Sequence, residues 1–253
     1  ARSMDFKTKE GRAKAYEQLK KRGIEGLVAV GGDGTFTGAN IFYEEYGIPI
    51  VGAPGTIDND LYGSDYTIGF DTAVNTALDA IDKIRDTANS HDRVFFIEVM
   101  GRHSGYIAIQ SGIGGGAEMV MVPETSTTIN DVINTLKEGR DKQKTSSIVV
   151  VAEGGEQGDA HEVAAKVTKE LPELDIRVST LGHIQRGGSP TSYDRILSSR
   201  LGMAAVEGLV NGEKNVMVGV VNDKITFTSF KLAISKAKPI NQELMRLVEI
   251  LSI

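Results

Sequence analysis

The sequence predicts an α/β protein with two Rossmann-like, three-layer α/β/α lobes and mainly parallel sheets. Short apolar runs rich in β-branched residues alternate with amphipathic segments along the 253 residues, a pattern typical of right-handed βαβ units. The seven apolar runs suggest two lobes. The chain contains no linker or low-complexity segment, which suggests that segments cross from one lobe to the other.

The helices are predicted from apolar residues at helical spacing and from their end signals. The first ends at Gly23 with basic residues in its last turn, as the helix dipole favours. The clearest apolar face belongs to the third, where Val74, Leu78 and Ile81 recur at intervals of three or four residues. The predicted helices cover 10–21, 35–45, 70–89, 105–113, 131–142, 160–169, 193–209 and 242–251.

The predicted strands are short apolar runs bounded by glycine, proline or polar residues. They cover 27–30, 48–52, 94–97, 119–122, 148–152, 176–181 and 216–221, the last clear strand. Polar loops of unusual content follow five of them, at residues 31–35, 55–60, 100–105, 153–155 and 183–188. Because ligands of open α/β sheets bind at the carboxyl ends of the strands, these loops contain the candidate site.

The composition excludes several classes of function. The absence of cysteine excludes disulfides, thiolate metal sites and cysteine nucleophiles, and the net charge of −6 argues against a nucleic-acid surface. No run approaches the roughly 18 apolar residues of a membrane span, and no signal peptide opens the chain. We therefore expect a cytoplasmic protein that binds neither membrane nor nucleic acid.

The loop Gly31-Gly32-Asp33-Gly34-Thr35 suits a polyphosphate bound with magnesium. Glycines let the backbone approach the anion, the helix N-terminus faces it, and Asp33 can bind Mg²⁺. The alternative is a tight βα turn with Asp33 as its N-cap. The loop matches neither a Walker A motif nor a Rossmann fingerprint.

The loop Pro54-Gly55-Thr56-Ile57-Asp58-Asn59-Asp60 contains two carboxylates directly after a strand. We interpret Asp58 as a general base. The alternative is that Asp58 and Asn59 cap a helix or close a turn, as these residue types often do in loops.

Arg102 and Arg186 adjoin glycines and can donate to phosphate oxygens, although a surface salt bridge is the commoner fate of arginine. Arg93 and Arg177 are predicted at strand starts, on the opposite edge, which indicates a structural role. Other candidates are His183, in a positioning role rather than as a base, and Glu153, as a sugar ligand or a plain turn residue. Together these groups indicate phosphoryl transfer to an alcohol that itself carries a phosphate.

The sequence closely resembles the bacterial ATP-dependent 6-phosphofructokinases, essentially from end to end. The matching motifs are Gly31–Thr35, Pro54–Asp60, Met100–Arg102 and Gly182–Pro190. The resemblance implies the phosphofructokinase fold. It also implies an ATP and magnesium lobe of residues 1–69 and 183–232, and a fructose 6-phosphate lobe of residues 70–182 and 233–253.

The resemblance implies that Asp58 takes the proton of the sugar 1-hydroxyl, with Thr56 and Asp60 beside it. Arg102 and Arg2 would stabilise the transferring phosphoryl group. The implied ATP ligands are Arg2, Ser3, Gly32, Asp33, Gly34 and Thr35, with Asp33 also at the Mg²⁺ site. The implied sugar-phosphate ligands are Thr56, Ile57, Asp58, Arg93, Met100, Gly101, Arg102, Glu153, Arg177, His183, Ile184, Gln185 and Arg186.

In this family Arg93 and Arg177 would reach the sugar phosphate of a neighbouring subunit, so the resemblance replaces the structural role first assigned to them. It also implies a homo-oligomer, usually a tetramer. Pyrophosphate-dependent relatives carry Asp at the position of Gly34 and Lys at that of Gly55, so ATP is the expected donor. The implied effector residues are Arg85, Gly116, Glu118, Lys142 and Lys144. Thr145 and Ser146 depart from the family pattern, which argues against classical control by ADP and phosphoenolpyruvate.

The family's first strand and glycine-rich nucleotide loop have no counterpart, since the resemblance starts at Arg2. We therefore expect a truncated chain. The alternatives to the ATP-dependent enzyme are a pyrophosphate-dependent phosphofructokinase and a non-catalytic fragment that binds sugar phosphate. NAD and lipid kinases share only Gly31–Thr35 with this chain.

Overall fold

The computed structural model describes residues 3–88, 93–142 and 147–251. The helices are α1 (Lys9–Lys21), α2 (Asp33–Tyr46), α3 (Phe70–Ala88), α4 (Tyr106–Gly114), α5 (Ile129–Asp141), α6 (Ala160–Glu170), α7 (Ser192–Val210), α8 (Phe230–Ser235) and α9 (Gln242–Leu251). The strands are β1 (Leu27–Gly31), β2 (Ile50–Pro54), β3 (Arg93–Val99), β4 (Met119–Met121), β5 (Ser147–Ala152), β6 (Asp175–Thr180), β7 (Val216–Val221) and β8 (Lys224–Ser229). In the described part of the chain, no helix is both long and apolar enough to span a membrane.

The chain divides into two compact units. The first contains Ala1–Thr56, Asp60–Ile68 and Ser192–Lys238, and the second contains Ile57–Asn59, Gly69–Thr191 and Pro239–Ile253. The sequence-based division instead assigns residues 183–191 to the first lobe and 233–238 to the second. Residues 182–186 form a 3₁₀ turn that contacts β3 and α3, and α8 packs on α2, so contacts rather than sequence order set these boundaries.

The first unit is built on a sheet with strand order β1-β2-β7-β8. Alternate residues of a strand point to opposite faces, so Ile50 of β2 packs in one core and Val51 packs in the other. The core on the first face includes Phe36 and Phe42 of α2, and the core on the second includes Leu201 of α7. The unit therefore has the predicted three layers.

The second unit has an entirely parallel sheet with strand order β4-β5-β3-β6. Every residue of β5 is buried, as expected for a strand covered on both faces. Phe96 of β3 packs with Leu136 of α5 and Val163 of α6. Helices α3 and α4 pack against each other and against β3 and β5. The second unit is also an α/β/α assembly.

The strand prediction was wrong at two places. Strand β8 follows β7 as an antiparallel hairpin through Asn222 and Asp223, whose φ angles are 48° and 60°. These left-handed conformations are those of a tight hairpin turn. Strand β2 lies two residues later than expected because Gly31 of β1 pairs with Pro54.

Candidate functional site

The glycine-rich loop of the first unit connects β1 directly to α2. Gly32 is the N-cap and has no side chain to accept a hydrogen bond, while the backbone N–H groups of Thr35 and Phe36 donate to the Gly32 carbonyl at 3.0 Å each. Asp33 is the first residue of α2, and its Oδ1 accepts from the Gly34 N–H at 2.7 Å. The N-cap alternative for Asp33 is therefore wrong, and the Asp33 carboxylate accepts from the Gly34 N–H in the first turn of α2.

Two of the predicted loops lie side by side at the carboxyl edge of the first sheet. The Gly55 N–H donates to the Gly31 carbonyl at 3.0 Å, directly after the parallel pair of β1 and β2. A Cβ on Gly32 would lie 3.3 Å from the Thr56 Cβ. The structure therefore brings Gly32 and Thr56 together, as the sequence predicted for strand ends of one sheet.

Lys238 was not found from the sequence, and it belongs to the same unit as Asp60. Its Nζ donates to the Asp65 carbonyl at 2.8 Å. Burial lowers the pKa of Lys238 to about 8, although the negative charges of Asp65 and Asp60 act in the opposite direction. Lys238 thus supports the 60–68 segment with a partly desolvated ammonium group.

The loop Met100–Gly105, which we call the Arg102 loop, follows β3 in the second unit. Gly101 and Arg102 have φ angles of 149° and 56°, which are unfavourable for residues with a Cβ. The backbone N–H groups of Gly101 and Arg102 donate to Glu153 Oε1 at 3.2 and 2.8 Å. Among the described residues, Glu153 Oε2 has no hydrogen-bond partner. One oxygen of Glu153 therefore orders the loop.

Asp58 belongs to the same unit as the Arg102 loop. The buried Ser104 hydroxyl donates to the Asp58 carbonyl at 2.8 Å, and the Ser104 N–H donates to the Gly101 carbonyl at 2.9 Å. The backbone of the candidate base is thereby attached to the loop of the candidate phosphoryl-stabilising arginine. Ser104 was not predicted from the sequence, because no local pattern shows a contact across 46 residues.

The predicted motif Gly182–Arg186 forms the 3₁₀ turn after β6. Gln185 is buried, and its Oε1 accepts from the Met100 N–H at 3.3 Å while its Nε2 donates to the Gly182 carbonyl at 3.1 Å. The turn leaves three predicted ligands exposed: His183, Ile184 and Arg186. Gln185 thus positions the turn against the start of the Arg102 loop.

Arg93 and Arg177 lie at the opposite edge of the second sheet from the Arg102 loop. Arg93 is the first residue of β3, so about 20 Å of strand separates it from Met100. Both arginines pair with Asp175, through Nε···O distances of 2.8 and 2.9 Å. The hydrogen bond from Arg93, more than those from Arg177, lowers the pKa of Asp175. The structure does not bring these arginines to the other predicted ligands of this chain.

The predicted effector residues are only partly described. Arg85 donates to the carbonyls of Gly115 and Gly116, and Glu118 Oε2 accepts from the Ile148 N–H at 2.5 Å. Lys142 is exposed at the end of α5. Lys144, Thr145 and Ser146 lie outside the described residues, as does Arg2, whereas Ser3 is described and exposed.

In the ranges that the structure describes, no three His, Asp or Glu side chains form a preassembled metal cluster. Asp33 is exposed in the first turn of α2. Mg²⁺ commonly binds one or two carboxylates together with substrate phosphates. A single exposed carboxylate at a helix N-terminus fits an ion of this kind.

Comparisons with known proteins show the family and the fold of this chain. A family model described as Phosphofructokinase matches residues 1–209. The ATP-dependent 6-phosphofructokinase of Cytophaga hutchinsonii is 60% identical over 249 residues, 98% of this chain and 76% of that protein. A phosphofructokinase structure from Saccharomyces cerevisiae has a TM-score of 0.84 and 32% identity, covering 99% of this chain and 36% of the yeast chain. A pyrophosphate-dependent phosphofructokinase structure from Marinobacter aquaeolei has a TM-score of 0.79 but 22% identity, over 96% of this chain and 71% of that one, so it shows the fold alone.

Proposed function

The chain belongs to the phosphofructokinase family, and we propose that it transfers a phosphoryl group from MgATP to the 1-hydroxyl of fructose 6-phosphate. The product is fructose 1,6-bisphosphate, and the reaction belongs to glycolysis. The observation that supports this proposal most is the hydrogen bond from Ser104 to the Asp58 carbonyl. It fixes the base relative to Arg102, and phosphoryl transfer depends mainly on such positioning.

Asp58 acts as the general base that removes the proton of the attacking hydroxyl, and Arg102 stabilises the charge on the transferring group. Thr56 and Asp60, which flank Asp58 in the sequence, are proposed to assist it. The sugar phosphate is bound by Ile57, Met100, Gly101, Glu153, His183, Ile184, Gln185 and Arg186. Support comes from Glu153, whose Oε1 accepts from the N–H groups of Gly101 and Arg102, two of the other proposed ligands.

The nucleotide phosphates bind at Gly32–Thr35, where backbone N–H groups begin α2. Asp33 fits a magnesium ion that binds together with the nucleotide. Ser3 and Arg2 complete the proposed set of ATP-binding residues. When bound, the ion neutralises negative charge on the phosphates. ATP is proposed as the donor, and Gly34 leaves room for it, since no other side chain lies within 4 Å of a Cβ added at this position. Gly55 is also a glycine, so neither position carries the side chain expected of a pyrophosphate-dependent relative.

Arg93 and Arg177 are proposed to bind the 6-phosphate of a neighbouring copy in a homotetramer. Their location at the far edge of the sheet from the Arg102 loop supports this role. Asp175 pairs with both of them, so a single carboxylate faces two guanidinium groups. We further propose a cytoplasmic location and an effector site at Arg85, Gly116, Glu118, Lys142 and Lys144.

A coupled assay of the full-length protein with fructose 6-phosphate tests the function. We expect turnover with MgATP and none with pyrophosphate. Turnover with pyrophosphate alone would identify a pyrophosphate-dependent enzyme. Calorimetric binding of fructose 6-phosphate without turnover by either donor would identify a non-catalytic sugar-phosphate-binding protein.

A further inference from the structure

The Arg102 loop is held by a second carboxylate, at the end opposite Glu153. The Gly105 N–H donates to both oxygens of Glu124, at 2.9 Å to Oε1 and 3.1 Å to Oε2. Glu124 follows β4, whereas Glu153 follows β5. Two strand ends of the second sheet therefore each supply one carboxylate, and both carboxylates accept from backbone N–H groups of the same loop.

Gly105 is also the N-cap of α4, and it has no side chain to accept from the first turn of that helix. A Cβ at this position would lie 2.4 Å from the Val122 Cβ, so the loop passes very close to the segment that carries Glu124. A carboxylate at a helix N-terminus is stabilised by the helix dipole. Glu124 thus satisfies the N–H of the N-cap residue, the part that an N3 side chain plays in a capping box. Partial burial raises the pKa of its carboxyl group.

The Arg102 loop is linked to Asp58 by a hydrogen bond from Ser104, the residue next to Gly105. Ser104 is 4% exposed, and its hydroxyl donates to the Asp58 carbonyl. Displacement of Gly105 therefore moves the donor that fixes the base. The positive φ of Arg102 makes the loop sensitive to lost contacts, since such conformations persist only where the surroundings impose them.

We propose that Glu124 is a positioning residue that fixes Gly105 and thereby aligns Asp58 and Arg102 for phosphoryl transfer. The inference rests on the proposed function. Glu124 itself contacts neither the phosphates nor the sugar in this role. Its removal is therefore expected to lower kcat more than it changes either KM.

The test compares E124A, E124Q and the matched control D131A in the full-length protein. Asp131 also accepts a backbone N–H at a helix start, from Thr128 at 2.8 Å, but it lies at α5 and not on the Arg102 loop. We expect E124A to lose kcat about ten-fold, as for a charge-assisted hydrogen bond. Its KM for ATP and its melting temperature should match those of D131A. E124Q keeps an acceptor oxygen and should stay within about three-fold of the parent.

Hydrogen exchange of a peptide covering residues 100–106 supplies a readout that does not depend on turnover. Faster exchange in E124A than in D131A is expected. If E124A does not melt cooperatively, E124D replaces it, since its carboxylate falls one methylene short of Gly105. Parental kcat and exchange in E124A, or equal losses in E124Q and E124A, would overturn the inference while the function stands. A parent protein without fructose 6-phosphate turnover would overturn the proposed function, and this inference with it.

Discussion

Replacing Gly52 with alanine should destabilise the first unit, because β2 packs against the edges of two stacked aromatic rings at this position. A Cβ on Gly52 would lie 2.4 Å from Phe36 Cε1 and 2.6 Å from Phe230 Cε1. Both phenylalanines are fully buried, and their rings stack with centroids 4.9 Å apart. The new methyl group must displace both rings, and overpacking of this kind costs about 1–3 kcal/mol.

Gly38→Ala is the matched control, in helix α2 of the same unit. Its Cβ would lie 3.5 Å from Phe6 Cε1, an ordinary contact, and alanine in place of glycine in a helix stabilises by about 0.5–1 kcal/mol. The two variants should therefore differ by about 1.5–4 kcal/mol. Denaturant unfolding followed by far-UV circular dichroism measures this difference. A Gly52→Ala protein as stable as the Gly38→Ala protein would refute the packing argument.

Two further predictions concern charge in the first unit. Between pH about 8 and 10.5, Lys238 is neutral in the native state but protonated in the unfolded state. Because the unfolded state binds more protons in this window, the free energy of unfolding rises with pH, by up to about 3 kcal/mol. Relative to K238M, the parent should gain this stability between pH 7 and 10 in denaturant titrations; a constant difference would contradict the burial of the ammonium group. Gly34→Asp should raise the KM for ATP about five-fold, since like charges at 4 Å repel by about 1 kcal/mol even in water. Gly34→Ala should leave this KM unchanged, and equal KM values for the two variants would count against phosphate binding at this loop.

Periodicity predicted most of the fold because the core of each unit follows it. The apolar face of α3 and the buried runs of β3 and β5 are local patterns, and their elements form where expected. The hairpin β7–β8 was missed although Asn222 and Asp223 between two apolar runs are a turn signal.

The candidate site was predictable in its parts but not in its supporting contacts. Asp33 and Arg102 could be predicted because each follows a parallel strand of its own sheet, and ligands bind at the carboxyl edge of such sheets. The hydrogen bonds of Glu153 and Glu124 to the Arg102 loop join residues distant in sequence, and any turn carboxylate has the same local pattern. The proposed roles of these residues remain predictions.

The assignment of Asp58 as the general base is tested most directly by Asp58→Asn in the full-length protein. We expect kcat with MgATP and fructose 6-phosphate to fall about 10²–10⁴-fold, as for loss of a general base. Calorimetric affinity for fructose 6-phosphate should change little, because asparagine preserves the size of the side chain. Asp223→Asn, at an exposed hairpin position, should keep the parental kcat. A kcat of Asp58→Asn close to that of the parent would contradict the account.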